Sequence, residues 1–205
     1  VLECDAGTYV GDVTISGWTT GPSNTVTIKA AAGDEHNGVP GAGVHFTVNN
    51  FDQIATVICN ISNFRLFDVE ISQTAFRAAF DFEETGSGLL IDRCILRGSS
   101  SSGGNAGGAL NLGDTSDQII RNSLLIQTRT GQSSTGVIRY LRGSGDSPIF
   151  QNCTLVGERG VYGAGSSAFE MPLFENCVFA TSLEAADGSG ANYLWDKYGN
   201  RHRIV

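Results

Sequence analysis

A short motif that recurs every 24 to 30 residues constrains the fold of this chain more than any other sequence feature. Each copy contains an apolar residue, one or two polar residues, a small residue and then alternating apolar positions, and the copies occupy residues 67–71, 91–96, 120–125, 150–155 and 174–179. The small-residue column falls at Val69, Cys94, Ser123, Cys153 and Cys177, so its successive steps are 25, 29, 30 and 24 residues. A repeat of this length with variable insertions is typical of stacked structural units.

The pattern within each repeat unit predicts short strands. Cys153 and Leu155 are two residues apart, so they share one face of a strand, and runs of three to five residues are too short for a helix. A further alternating run precedes each motif, centred at residues 81, 111, 139 and 170. Each unit therefore holds at least three strands, and like strands of successive units are expected to stack in parallel, about 4.8 Å apart. This arrangement predicts an inward stack of Leu96, Leu125, Leu155 and Phe179.

Asn122, Asn152 and Asn176 form a column immediately before the small residues. Asn tolerates the left-handed conformation that a tight turn needs, and stacked amides can hydrogen-bond along the column. Over residues 6–182 the chain thereby resembles the pectate-lyase-like superfamily, whose asparagine ladder lies between the second and third strands of each coil. The resemblance implies an all-β fold, a right-handed parallel β-helix of about six to seven coils with an irregular C-terminal tail. Two positions depart from the ladder pattern, Asp68 and Arg93.

The predicted organisation is one β-helix over residues 1–182, with irregular coils in 1–50 and regular coils in 51–182. Strands are expected near residues 13–15, 26–30 and 44–48, and loops after each third strand, at 98–108, 128–136 and 157–167. Residues 183–205 leave the repeat. Because the end of a β-helix exposes strand edges, this tail is predicted to cap the rod or to dock on another subunit. Its aromatic cluster comprises Tyr193, Leu194, Trp195 and Tyr198.

Composition excludes several functional classes. The net charge of −8 argues against nucleic acid and anionic membrane surfaces as partners. No apolar run approaches the roughly 20 residues of a membrane-spanning helix, and no signal peptide is recognised. The chain begins with Val1, so further sequence beyond either end is left open.

Three of the five cysteines are expected to be free. The column geometry predicts that Cys94, Cys153 and Cys177 are small buried side chains with neither a disulfide nor a metal. The sequence leaves the partners of the two other cysteines open, namely Cys4 and Cys59.

The resemblance implies that a catalytic or glycan-binding site, if present, lies on the outer face of the first strand. That face carries Asp81, Asn111, Arg139 and Glu170. An Arg between carboxylates could hold an acidic sugar, and Asp81 could bind Ca²⁺ or act as a base. The preferred interpretation is a solvated sheet face, with Arg139 and Glu170 as a cross-strand pair. The chain also lacks the paired aspartates and Gly-His-Gly of polygalacturonases and the clustered calcium carboxylates of pectate lyases.

Two histidines are further candidates for site residues. The Asp34-Glu35-His36 segment lies on an early loop and is predicted to be solvated. His45 alternates with apolar residues and is predicted to be a half-buried strand residue with a hydrogen-bond partner.

Two hypotheses for function follow. The first is a non-enzymatic structural or recognition β-helix on a virion or cell surface, such as a decoration, spike or fibre domain, with other protein subunits and surface glycans as partners and with no cofactor or metal. The alternative is a carbohydrate-active enzyme, a polysaccharide lyase or glycoside hydrolase, or an inactive glycan-binding relative. Ca²⁺ would be the expected cofactor only under this alternative.

Overall fold

The computed structural model describes residues 1–49, 55–75, 78–82, 87–99, 108–113, 116–128, 136–141, 147–164 and 172–188. The regular secondary structure of these described residues consists of β-strands. In chain order they are β1 (Leu2–Cys4), β2 (Gly7–Val10), β3 (Val13–Ile15), β4 (Val26–Ala30), β5 (Val44–Val48), β6 (Ala55–Cys59), β7 (Phe64–Phe67), β8 (Val69–Gln73), β9 (Ala78–Phe82), β10 (Ser87–Asp92), β11 (Ile95–Gly98), β12 (Leu110–Leu112), β13 (Ser116–Arg121), β14 (Leu124–Gln127), β15 (Ile138–Leu141), β16 (Ile149–Gln151), β17 (Thr154–Ala164), β18 (Leu173–Glu175) and β19 (Val178–Gly188).

These strands form three parallel faces of a coil. The second-strand face has the order β1-β4-β7-β10-β13-β16-β18. The third-strand face runs β2-β5-β8-β11-β14-β17, and the first-strand face runs β3-β6-β9-β12-β15-β17. Neighbouring strands pair in parallel on every face. The seven strands of the second-strand face mark seven coils, so the predicted all-β parallel β-helix and its size are confirmed.

The corner between the second and third strands contains one left-handed residue in each of five coils. Its five residues have φ between 51° and 58°, the left-handed conformation expected for this turn. Asn152 Nδ2 donates to Asn122 Oδ1 over 3.2 Å, so neighbouring coils are linked through the side chains of the corner. We refer to this column as the ladder corner, and it comprises Asp68, Arg93, Asn122, Asn152 and Asn176.

The core is a set of inward columns that follow the strand register. Leu155 lies between Leu125 and Phe179 in adjacent coils, and all three side chains are buried, as the alternation predicts. Phe150 stacks on Phe174 with ring centroids 4.9 Å apart. These columns continue from coil to coil, so each coil buries its apolar face against its neighbours.

All five cysteines are free, as predicted for the small-residue column. Cys94 and Cys153 are buried, but Cys177 is partly exposed, so the prediction of burial is wrong at that position. The Ser123 hydroxyl accepts the Cys94 N–H over 3.1 Å, and the Cys177 sulfur accepts the Cys153 N–H over 3.4 Å. Hydroxyl and thiol therefore occupy equivalent places in the column.

Most of one predicted loop is a strand. The segment 157–167 is predicted to leave the rod, but as far as Ala164 it belongs to β17, which runs from Thr154 and supplies both the third strand of one coil and the first strand of the next. A register irregularity between Gly157 and Arg159 turns this corner. β19 follows the same path and extends to Gly188, past the predicted boundary at residue 182.

Candidate functional site

The first-strand face places three of the predicted site residues in adjacent coils. Asp81 is in register with Asn111, and Asn111 with Arg139. The Asn111 amide donates to Asp81 Oδ2 over 3.2 Å. The expectation of a solvated face is wrong, because the exposed fractions are only 4%, 1% and 8% for Asp81, Asn111 and Arg139. We call these three residues the buried polar row.

The fourth predicted member, Glu170, lies outside the described residues, so its predicted pairing with Arg139 stays a prediction. The strand position beside Arg139 belongs to Tyr162 of β17. This strand reaches the first-strand face earlier in the sequence than the repeat spacing predicts, because it turns its corner without a loop.

The buried polar row contains few groups that could act in catalysis. It holds one carboxylate, Asp81, together with an amide and a guanidinium. Glycoside hydrolysis generally uses two carboxylates that flank the scissile bond, one as acid and one as base or nucleophile. The three described residues of the row do not supply such a pair.

The ladder corner carries the densest charge cluster at its N-terminal end. Arg93 makes two hydrogen bonds to the Asp68 carboxylate, of 2.6 Å and 2.8 Å, and a third of 3.2 Å to Asp92. Arg121 also donates to Asp92, over 2.8 Å and 3.0 Å, and the Asn122 amide donates to its other oxygen over 2.9 Å. Here ion pairs replace the amide contacts of the asparagine ladder.

Asp92 is stabilised in its ionised form. Burial raises the pKa of this carboxyl group, but the hydrogen bonds from Asn122 and Arg121 and the nearby guanidinium groups outweigh burial, so its pKa lies below the ordinary value. Conversely, the paired carboxylates raise the pKa of Arg93. Both shifts favour the charged forms, so Asp92 and Arg93 form a charged pair at neutral pH.

A loop over residues 31–43, which we call the N-terminal loop, packs against this end of the ladder corner. His36 is 6% exposed, so the predicted solvation is wrong at this residue, whereas Asp34 and Glu35 are partly exposed. Its Nδ1 accepts the Gly38 N–H over 2.8 Å, which leaves Nε2 to donate to the Arg93 carbonyl oxygen, also over 2.8 Å. The local sequence gives no signal for this burial, because it depends on the distant strand that the loop contacts.

A second contact holds the same loop. The Gly41 N–H donates to the carboxylate of Glu70, which is fully buried and also contacts Arg97 over 3.1 Å. His45 is partly buried and lies 2.7 Å from the Ser72 hydroxyl, as predicted for a strand histidine with a partner. The same His45 nitrogen, Nε2, also faces Glu70, at 3.8 Å, so the three side chains do not form a Ser-His-Glu relay.

Between the N-terminal loop and the ladder corner lies a cleft of about 520 Å³. We call it the ladder cleft. Every residue that lines it except Gly38 has a polar side chain. It is lined by Glu35, His36, Asn37, Gly38, Asp68, Arg93 and Asn122.

The remaining predicted features are at the C-terminal end or concern metals and membranes. The tail cluster lies outside the described residues. Among the described residues, no group of three or more His, Cys, Asp or Glu side chains is arranged to hold a metal ion. In the same part of the chain, no helix is long and apolar enough to cross a membrane. The tail cluster comprises Tyr193, Leu194, Trp195 and Tyr198.

Comparison with known proteins gives two distant structural similarities. No protein-family model matches the chain, and no curated protein matches it. Among solved structures, it is similar to a pectin methylesterase from Aspergillus niger, with 14% identity, a TM-score of 0.40, and coverage of 91% of this chain and 76% of that one. It is also similar to a pectin methylesterase in complex with a hexasaccharide, with 12% identity, a TM-score of 0.32, and coverage of 98% and 82%. At these low TM-scores the similarities support no argument about activity.

Proposed function

We propose that the chain is a non-enzymatic β-helix that assembles with further copies of itself through an outward sheet face. The observation that carries this proposal is a row of aliphatic side chains on the outside of the second-strand face. Register places them side by side in four successive coils, and all four are partly exposed. We call this the aliphatic row, and it consists of Leu90, Ile119, Ile149 and Leu173.

Parallel sheets usually have both faces covered, because their strands are apolar on both sides. At about 4.8 Å per coil, the aliphatic row is roughly 14 Å long. Contiguous apolar surface of this kind marks contact sites. A solvated outer face would instead carry polar residues in this row, as the neighbouring row does with Arg121, Gln151 and Glu175.

A second copy of the chain is the occupant that best fits this face. A second copy carries the same aliphatic row with the same coil spacing, so two such rows match in period and in chemistry. Closed homo-oligomers are also the commonest assemblies of soluble proteins. We place the assembly on a virion or cell surface, a setting supported only by analogy with other β-helices.

The buried polar row favours this role over catalysis. A glycan cannot reach Asp81 or Asn111 while these side chains are buried, and the described residues of the row offer one carboxylate. Asp81 already accepts a hydrogen bond from Asn111. The buried polar row therefore has a structural role: its side chains pack along the outer side of three coils and connect neighbouring coils.

The test is the oligomeric state of matched variants in sedimentation velocity. Ile149 and Gln151 both point outward on β16, so Ile149→Lys places a charge in the aliphatic row while Gln151→Lys places one in the polar row. We expect concentration-dependent association of the native chain and of Gln151→Lys, and monomers for Ile149→Lys. A native chain that stays monomeric at high concentration, or association that survives Ile149→Lys, would refute the proposal.

The enzymatic alternative has its own test. The protein is incubated with neutral and acidic polysaccharides, with and without Ca²⁺, and unsaturated products, released methanol and reducing ends are followed. We expect no turnover. Turnover that disappears in Asp81→Ala would establish the carbohydrate-active alternative.

The aromatic tail is proposed to take part as a cap or docking arm. Deletion of residues 189–205 distinguishes these roles. A cap predicts a lower melting temperature and end-to-end aggregation, and a docking arm predicts normal melting with loss of assembly. If neither property changes, the tail has neither role.

A further inference from the structure

We propose that the ladder cleft binds a neutral sugar, as a recognition site separate from the first-strand face. This inference does not depend on the assembly proposed above, because the ladder cleft lies at the corner between the second-strand and third-strand faces and not on the aliphatic row. It rests on three properties of the cleft: fixed walls, polar groups with remaining hydrogen-bonding capacity, and a charge balance that does not favour anions.

The walls are fixed by contacts at both sides. His36 uses both ring nitrogens to tie the N-terminal loop to itself and to the Arg93 carbonyl. Gly41 anchors the same loop on the buried Glu70 carboxylate. Gly43 has φ of +66°, and a Cβ there would lie 2.6 Å from the Asp34 carbonyl oxygen, so the loop is tightly packed at its exit. A site formed before the ligand arrives loses less conformational entropy on binding.

The lining retains both donors and acceptors. Arg93 has five N–H groups and uses three on Asp68 and Asp92, so two remain on a side chain that is 54% exposed. Glu35 accepts the Gly33 N–H with one oxygen, which leaves the other as an acceptor. The exposed Asn37 amide donates one hydrogen bond to the Glu35 carbonyl and keeps its oxygen and second hydrogen. Such pairs of planar polar groups suit adjacent sugar hydroxyls, which are donors and acceptors at once.

The charge of the ladder cleft favours neutral sugars over acidic sugars. The lining holds two carboxylates, on Glu35 and Asp68, against the single guanidinium of Arg93. The guanidinium is already paired with two acidic side chains, Asp68 and Asp92. An acidic sugar would therefore meet net negative charge in the cleft and on the chain as a whole, which carries −8. The volume of about 520 Å³ falls within the range of small-ligand sites and admits one or two sugar units.

Two substitutions remove lining groups while keeping the backbone. Asn37 has φ of 49°, so Asn37→Gly removes the amide at a position where Gly is unstrained. Arg93 has φ of 54°, so Arg93→Asn removes the guanidinium and supplies the residue that three other ladder positions carry. The matched control is Asn63→Gly, the same change at φ of 51° outside the cleft lining.

The experiment titrates ¹⁵N-labelled protein with lactose, cellobiose and maltose as neutral probes and with digalacturonate as the acidic comparator. We expect at least one neutral disaccharide to shift amide signals of the N-terminal loop, including Asn37 and Gly38, and to bind about tenfold more weakly or worse in Asn37→Gly and Arg93→Asn. Asn63→Gly should bind as the native chain does.

Three results would overturn the inference. The first is the absence of binding of all three neutral probes up to their solubility. The second is tighter binding of digalacturonate than of any neutral probe. The third is binding that both lining variants leave unchanged, which would locate the sugar elsewhere.

Discussion

Replacement of Leu155 by Ala tests the coil register most directly. Leu155 is fully buried between Leu125 and Phe179. The change removes about three carbon atoms, and at about 0.8 kcal/mol per buried methylene the lost transfer free energy is about 2.4 kcal/mol. The two neighbours are held in their own coils by strand pairing, so the site relaxes little and a cavity term adds to this loss. We therefore expect the free energy of unfolding to fall by about 3–4 kcal/mol, within the usual range for such substitutions.

The assay is equilibrium unfolding in denaturant, followed by circular dichroism, with Leu124→Ala as the matched control. Leu124 points outward and is partly exposed, so the same change there should cost about 1 kcal/mol or less. A neutral effect of Leu155→Ala, or an equal loss in the two variants, would show that the inward and outward positions have been exchanged and that the register is wrong.

Three further outcomes are expected. Asn152→Ala should lower the free energy of unfolding by about 1–2 kcal/mol, because Ala disfavours a φ of 53°, whereas Asn152→Gly should lower it less. Thermal melts of the two variants would contradict this if Gly destabilised the protein more than Ala. Asp92 has a lowered pKa in the folded state, so its ionisation stabilises the fold above the unfolded-state pKa of about 4. That contribution should disappear as the pH falls through the folded-state value, and melts against pH should show native and Asp92→Asn converging in acid; a constant difference would exclude the linkage. The hydrogen bond from Cys153 lowers the pKa of Cys177 to about 7 against the effect of burial, while burial raises the pKa of Cys94 to about 12. A thiol reagent should therefore modify Cys177 first in the native protein at neutral pH, and peptide mapping that finds Cys94 modified as fast would contradict this.

The sequence predicted the fold well because the fold depends on a local pattern. Alternation fixes which residues face inward, and the small-residue column fixes the coil period, so strands such as β4 and β5 lie where the pattern places them. The register of the first-strand face was also correct from Asp81 to Arg139. The strand position beside Arg139 was not predicted, because spacing alone does not reveal that β17 turns a corner without a loop and places Tyr162 there.

The candidate site was predicted less well because burial of polar residues depends on distant contacts. Nothing near His36 in the sequence indicates that its ring will reach the Arg93 carbonyl, 57 residues away. Likewise, alternation places Asn111 on the outer side of its strand but does not show that this side is covered. The ladder cleft combines both effects, since its two walls come from a loop and a corner that are far apart in the chain.

The ladder corner also has a consequence for how chains of this kind diverge. In five successive coils a single left-handed residue separates the second strand from the small-residue column, so the corner has no room for an added or deleted residue. The coil lengths nevertheless differ, with column steps between 24 and 30 residues. Insertions and deletions among relatives should therefore gather at the other two corners, and an alignment anchored on the left-handed position and the residue after it should detect kinship that whole-chain identity misses.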